Sequence, residues 1–273
     1  MKNLNVLSLR LGAGLLALGL FAAPARADLE KKPEAKSEPA AAAKPDGKLP
    51  PAREILDRFV KESGGREAFL KHTSQSAKGK LSTPGQEIEG ALEVHAAKPD
   101  KMLIKVDLGG IGKIVSGYDG KVGWSMNPLT GPTVMEGKAL QQMKYQSDFY
   151  NVLHEDKNFK SMETVDKTVF EGEECYKIKL VQVNGDESTE FYSVKTGLER
   201  GSVASQESPF GPVNVTSVVS DYKKFADTVL PTKVSQKMSG VEQIMKIDEV
   251  EFDKTPESVF ELPKEIKTLL EKK

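Results

Sequence analysis

Cysteine and histidine are almost missing from this chain of 273 residues: there is one cysteine and there are three histidines. Cys175 alone cannot form an internal disulfide, so the fold has to stand on its core. In "EECYKIKLVQV" it heads an apolar strand and reads as a small buried hydrophobe. His72, His95 and His154 lie far apart, and "HED" at 154–156 begins like a zincin motif but lacks its second histidine. They read as surface or cap residues, and the sequence predicts neither a metal nor a cofactor.

Other chemical signatures are missing too. "GGIGKIVSG" has Gly112 and Gly117 at phosphate-loop spacing, yet Tyr118 stands where lysine is needed and a strand follows instead of a helix, so these glycines read as turn and bulge positions. No G-x-S-x-G elbow occurs. Carboxylates are plentiful, but spacing singles out no pair; Asp221 and Asp248 are the two whose alternation allows an inward face. No catalytic residue is assigned, and binding is favoured over catalysis.

Long apolar runs are absent except at the start. Lys2 and Arg10 precede the apolar stretch Leu11–Ala23, and Ala25-Arg26-Ala27 is an A-x-A cleavage site. Residues 1–27 therefore read as a secretory signal peptide, too short for a membrane span of about 20 residues. No later stretch predicts a stable membrane span. The expected mature protein is exported and soluble, periplasmic in a bacterium. Cleavage removes three bases and no acids from 39 and 40, leaving 36 against 40 and a net charge of −4. That mild acidity, without a basic stripe, argues against nucleic acid as a partner.

Residues 28–50, rich in Pro, Ala, Lys and Glu, have no hydrophobic period and read as a disordered linker. Residues 51–273 suit one domain. "PAREILDRFVKESGG" spaces Ile55, Leu56, Phe59 and Val60 as a helix, and "REAFLKH" as a shorter one. From residue 74 the period becomes two. Leu92 and Val94 share one strand face, as do Met102, Ile104 and Val106. Turn pairs from Pro84-Gly85 to Ser239-Gly240 join such strands into antiparallel meanders. Residues 136–153, with Leu140, Met143, Tyr145 and Phe149 at helical spacing, predict one helix that plugs or covers the sheet. "PKEIKTLLEKK" predicts a closing helix. The expected architecture is mainly β with α, a large curved antiparallel sheet of about 10–11 strands forming an incomplete, half-open barrel with lid helices.

Seven methionines remain after residue 27, most of them on predicted strands or the internal helix, and a flexible thioether lining adapts to varied apolar shapes. The candidate hydrophobic cavity comprises Leu92, Val94, Met102, Ile104 and Val106 with Trp124, Met126, Met143 and Met238. Trp124 is the only tryptophan, set after a tight Asp119-Gly120 turn, and reads as structural or cavity-lining.

"SGYDGKVGWSMNPLTGPTVMEGKAL" resembles the segment of LolA-type lipoprotein carriers in which strand, "DG" turn, tryptophan strand, proline and helix follow one another. Asp119, Gly120, Trp124 and Pro128 match it. "ILDRFVKESGGREAFLKHTSQSAKGKL", "LPTKV" at 230–234 and "DEVEFDKTPESVFELPKE" at 248–265 are similar to other parts of outer-membrane lipoprotein-sorting-like proteins. The resemblance implies a half-barrel around a hydrophobic cavity, lidded by helices, that shields lipid or lipoprotein acyl chains during transit toward the outer membrane. Inner- and outer-membrane partner proteins would follow. The alternative is a non-enzymatic envelope sensor or scaffold that uses the same fold to bind protein.

Overall fold

A computed structural model describes residues 48–208 and 211–272. The expected signal peptide and residues 28–47 of the expected linker lie outside them. Two helices open the described chain, α1 (Ala52–Glu62) and α2 (Arg66–Phe69). Six strands follow: β1 (Ser74–Thr83), β2 (Ile88–Ala97), β3 (Lys101–Asp107), β4 (Lys113–Tyr118), β5 (Gly123–Asn127) and β6 (Gly131–Val134). After α3 (Gly137–Ser147) and the short α4 (Glu155–Asn158) come β7 (Phe159–Phe170), β8 (Glu173–Gln182), β9 (Glu187–Ser193) and β10 (Glu199–Ser208). Next are β11 (Gly211–Phe225), β12 (Thr228–Met238) and β13 (Val241–Phe252), and α5 (Lys264–Glu271) closes the chain.

All thirteen strands belong to one antiparallel sheet in the order β6-β5-β4-β3-β2-β1-β13-β12-β11-β10-β9-β8-β7. Two meanders, β1 to β6 and β13 to β7, spread as wings from the β1–β13 pair. Strands β6 and β7 are the two edges, so the sheet does not close. The count exceeds the expected 10–11 because some turns lack the usual punctuation. The β7–β8 turn uses Glu171 at φ 48° before Gly172, and the β11–β12 turn uses Ala226 at φ 50°. Every turn expected from Gly, Pro and Asn pairs does connect two strands.

Register shows which residues share a face. Met102 lies opposite Tyr118, and Tyr118 opposite Gly123, where a Cβ would meet Leu140 of α3 at 2.9 Å. Met102, Ile104 and Val106 pair with Ala96, Val94 and Leu92. Leu92, Val94, Met102, Ile104 and Val106 pack with Leu81, Val219, Val234 and Met245 into one apolar cluster. On the second wing the same face carries Ile178, Leu180 and Tyr192, which pack against Ile55, Leu56 and Phe59 of α1. This is the inner face. Arg58 fixes α1 to the β9–β10 turn by donating to the carbonyls of Val194 and Lys195, each at 2.9 Å.

The expected helix over 136–153 is shorter than its spacing suggests. It stops at Ser147, and Phe149 lies in a turn. There the Phe149 N–H donates to the Pro99 carbonyl at 3.0 Å, and the Tyr150 N–H to Asp148 Oδ1 at 3.2 Å. Those bonds replace the helical ones.

The β1–β13 pair that joins the wings has a register shift at Lys78/Gly79. A Cβ on Gly79 would sit 1.9 Å from the Lys246 carbonyl oxygen. Gly79→Ala is therefore expected to cost about 1–3 kcal/mol by overpacking. Urea unfolding of the two proteins checks this, and an unchanged midpoint would contradict the close approach.

Candidate functional site

Helix α3 leaves the edge strand β6 and crosses the opening between the wings. Leu140 rests on Gly123 of β5, and Gln142 Nε2 donates to the Ser205 carbonyl of β10 at 3.3 Å. Farther along, Tyr145 meets Phe159 of β7 edge to face, with ring centroids 6.2 Å apart. Met143, between these contacts, is fully buried. One helix thus touches both wings across the opening, beside the part of the inner face that α1 covers.

Beside α3 a cleft of about 910 Å³ opens between the wings. It is bounded by the β2–β3 turn, the α3–α4 connection and the β8–β9 turn, with Tyr118, Tyr145 and Tyr150 in its walls. Its charged groups are mixed. Asp148 holds His154 at 2.7 Å, and burial together with Asp148 raises the Asp100 carboxyl above its ordinary value.

The expected cavity residues divide between the two faces. Leu92, Val94, Met102, Ile104 and Val106 lie together on the inner face. Met143 is buried on α3, and Met238 lies at the far end of β12 opposite Val215. Trp124 and Met126 are elsewhere. Trp124 pairs with Gly117, which pairs with Leu103, so both side chains project to the outer face. There Trp124 is 2 % exposed, packed with Leu103, Phe260 and Ile266 beneath α5. Trp124 and Met126 are two apart on β5 and share a face, and the register across β3 and β4 shows that it is the outer one.

The remaining chemical candidates resolve simply. Among the described residues no group of three or more His, Cys, Asp or Glu side chains is placed to hold a metal. His72 is buried and not a surface residue, because its ring stacks on Phe252 and its Nδ1 bonds Asp253 Oδ2. Asp221 and Asp248 are exposed. Cys175 is buried as expected, and burial, then Glu173, pushes its thiol up to about 11. At pH 8 roughly one such thiol in a thousand is ionised, which does not suit a nucleophile.

What the sequence reading missed is polar. Glu190, Ser202, Ser217, Gln236 and Gln243 are buried on the inner face of the second wing. Polar residues within alternating strands read as solvent-facing, and strands such as β12 are buried on both sides, so alternation carries little signal there.

Solved structures share this architecture. The chain is similar to a LolA superfamily protein from Nitrosomonas europaea, with a TM-score of 0.51 and 12 % identity over 78 % of this chain and 99 % of that one. It is likewise similar to a putative outer membrane lipoprotein-sorting protein domain from Vibrio parahaemolyticus, with a TM-score of 0.52 and 11 % identity over 80 % and 97 % of the two chains. A DUF1329 family protein from Desulfovibrio piger matches with a TM-score of 0.55 and 11 % identity over 78 % and 98 %. No family model and no curated protein matches the sequence. The chain has the LolA-like fold, an unclosed antiparallel half-barrel with helices at its opening.

Trp124 reports on the outer face. Deleting residues 264–273 is expected to shift its emission to the red, since α5 shields the indole. Unchanged emission from a folded truncated protein would contradict that packing.

Proposed function

We propose that the protein is a non-enzymatic periplasmic carrier that holds the acyl part of a lipid or lipoprotein against the inner face of the half-barrel while α3 moves aside. One observation carries this reading: a broad apolar face, Leu92, Val94, Met102, Ile104 and Val106 among it, lies inside a sheet with two unpaired edges, and α3 crosses the opening between its wings. On the second wing, α3 reaches β10 through the hydrogen bond from Gln142 Nε2 to the Ser205 carbonyl at 3.3 Å. Burying an acyl chain contributes about 0.8 kcal/mol per methylene. A dozen methylenes then suffice to hold a cargo out of the membrane. Met143 and Met238 supply the adaptable part of the lining. Trp124 and Met126, under α5, take no part in it.

The names of two structural neighbours, a LolA superfamily protein and a lipoprotein-sorting domain, agree with a carrier role. Among the described residues no helix is long and apolar enough to cross a membrane. The apolar stretch within residues 1–27 supports export.

Native mass spectrometry of residues 28–273, produced in bacteria with export and purified without detergent, tests the reading. Co-purifying phospholipid or acylated peptide is the expected result. A clean apo mass that stays unchanged after incubation with lipid vesicles would overturn it. A protein partner that depends on residues 28–50, without bound lipid, would favour the scaffold instead.

A further inference from the structure

The inner face is not uniformly apolar. Glu190 lies directly opposite Ser202, Ser202 opposite Ser217, Ser217 opposite Gln236, and Gln236 opposite Gln243. These five side chains form one row across β9, β10, β11, β12 and β13, and each is between 1 % and 5 % exposed. Gln236 Nε2 lies 3.4 Å from Ser217 Oγ, and the Tyr192 hydroxyl donates to Glu190. Thr83, buried on β1, has a hydroxyl with no hydrogen-bond partner among the described residues. Apolar residues flank the row on the same face, with Val215 and Val219 either side of Ser217 and Met238 and Val234 either side of Gln236.

The lid matches this pattern. Over the β8–β10 end of the row, α3 presents Gln142 and Gln146. Beneath them is a cavity of about 30 Å³, room for about one water. Its described lining includes the carboxylates of Asp186, Glu187 and Glu190 and no lysine or arginine. The oxygen of Gln146 is buried there without a partner.

An apolar row would need no hydrogen-bond partners, whereas each buried polar group here has to exchange water for partners inside the protein. Resting on the carrier reading, we propose that this row is the polar half of the cargo site, built for the head of an amphiphile that offers hydroxyl or ammonium donors. An anionic head is disfavoured by the buried carboxylate of Glu190 and by the absence of a basic side chain in the lining. The acyl chain then lies along the neighbouring apolar cluster around Ile104 and Met245.

Three probes with the same twelve-carbon chain test the assignment below their micelle concentrations: dodecyl maltoside, dodecylammonium and dodecyl phosphate. Their affinities for the wild-type protein are compared with those for Gln236→Leu and, as a milder change, Ser217→Ala. The expected result is binding of maltoside and ammonium about tenfold tighter than of phosphate, as one good hydrogen bond to a charged group provides. Both variants should lose that preference, keep chain-dependent binding and unfold at the same or higher urea concentration. Equal affinity for all three heads, tighter binding of phosphate, or a preference that survives both variants would overturn the proposal and leave the carrier reading standing. Loss of stability in both variants with the preference intact would mark the row as structural and overturn it equally. Failure of every probe to bind would overturn both.

Discussion

An antiparallel sheet of thirteen strands that does not close has a face too broad for its own edges to cover, and the rest of the molecule answers that constraint. The wings meet at β1 and β13, and the chain has to travel from the last strand of one wing to the last strand of the other. That passage, residues 135–158, carries α3 across the opening. The lid is therefore a consequence of connectivity. The unpaired edges are themselves unattractive to other strands. β6 has four residues and contains Pro132, while β7 has two register irregularities and charged side chains along it.

The two faces of the sheet are treated differently. On the outer side of the first wing, Phe260 and α5 pack onto Leu103 and Trp124, while on the inner side of the second wing α1 packs against Ile178, Leu180 and Tyr192. Arg58 and the Ser63 carbonyl, which accepts from the Val229 N–H at 3.0 Å, bind the opening helix and the residues after it to the β9–β10 turn and to β12. An apolar cluster and a polar row lie side by side on the inner face, and α3 carries Leu140 and Met143 as well as Gln142 and Gln146. Matching polarity on lid and floor fits a site that stays shut when empty and takes an amphiphile when open.

Much of this was legible in the sequence because local chemistry sets it. Asp119-Gly120 makes its tight turn for a clear reason: Asp119 Oδ1 accepts from the N–H groups of Lys121 and Val122 at 2.8 and 2.7 Å, and Gly120 has φ 97°. Ile55, Leu56 and Phe59 are buried where helical spacing predicts. Turns built on Glu171 and Ala226 gave no such sign, since nothing in their side chains announces a positive φ. Phase was harder than period. Trp124 and Met102 each sit in a recognisable strand, yet which face each occupies depends on partners two strands away. The row from Glu190 to Gln243 was least legible, because its members come together only through four successive registers.

Hydrogen–deuterium exchange of the protein with and without a bound amphiphile tests the central claim, that α3 is a movable cover over the cargo face, most directly. The account predicts that binding changes exchange in α3 and in the inner strands it touches, β3, β4 and β10, while α5 and the residues around Trp124 stay as they were. A change confined to α5 and its contacts, or none at all in a protein shown to hold cargo, would contradict it.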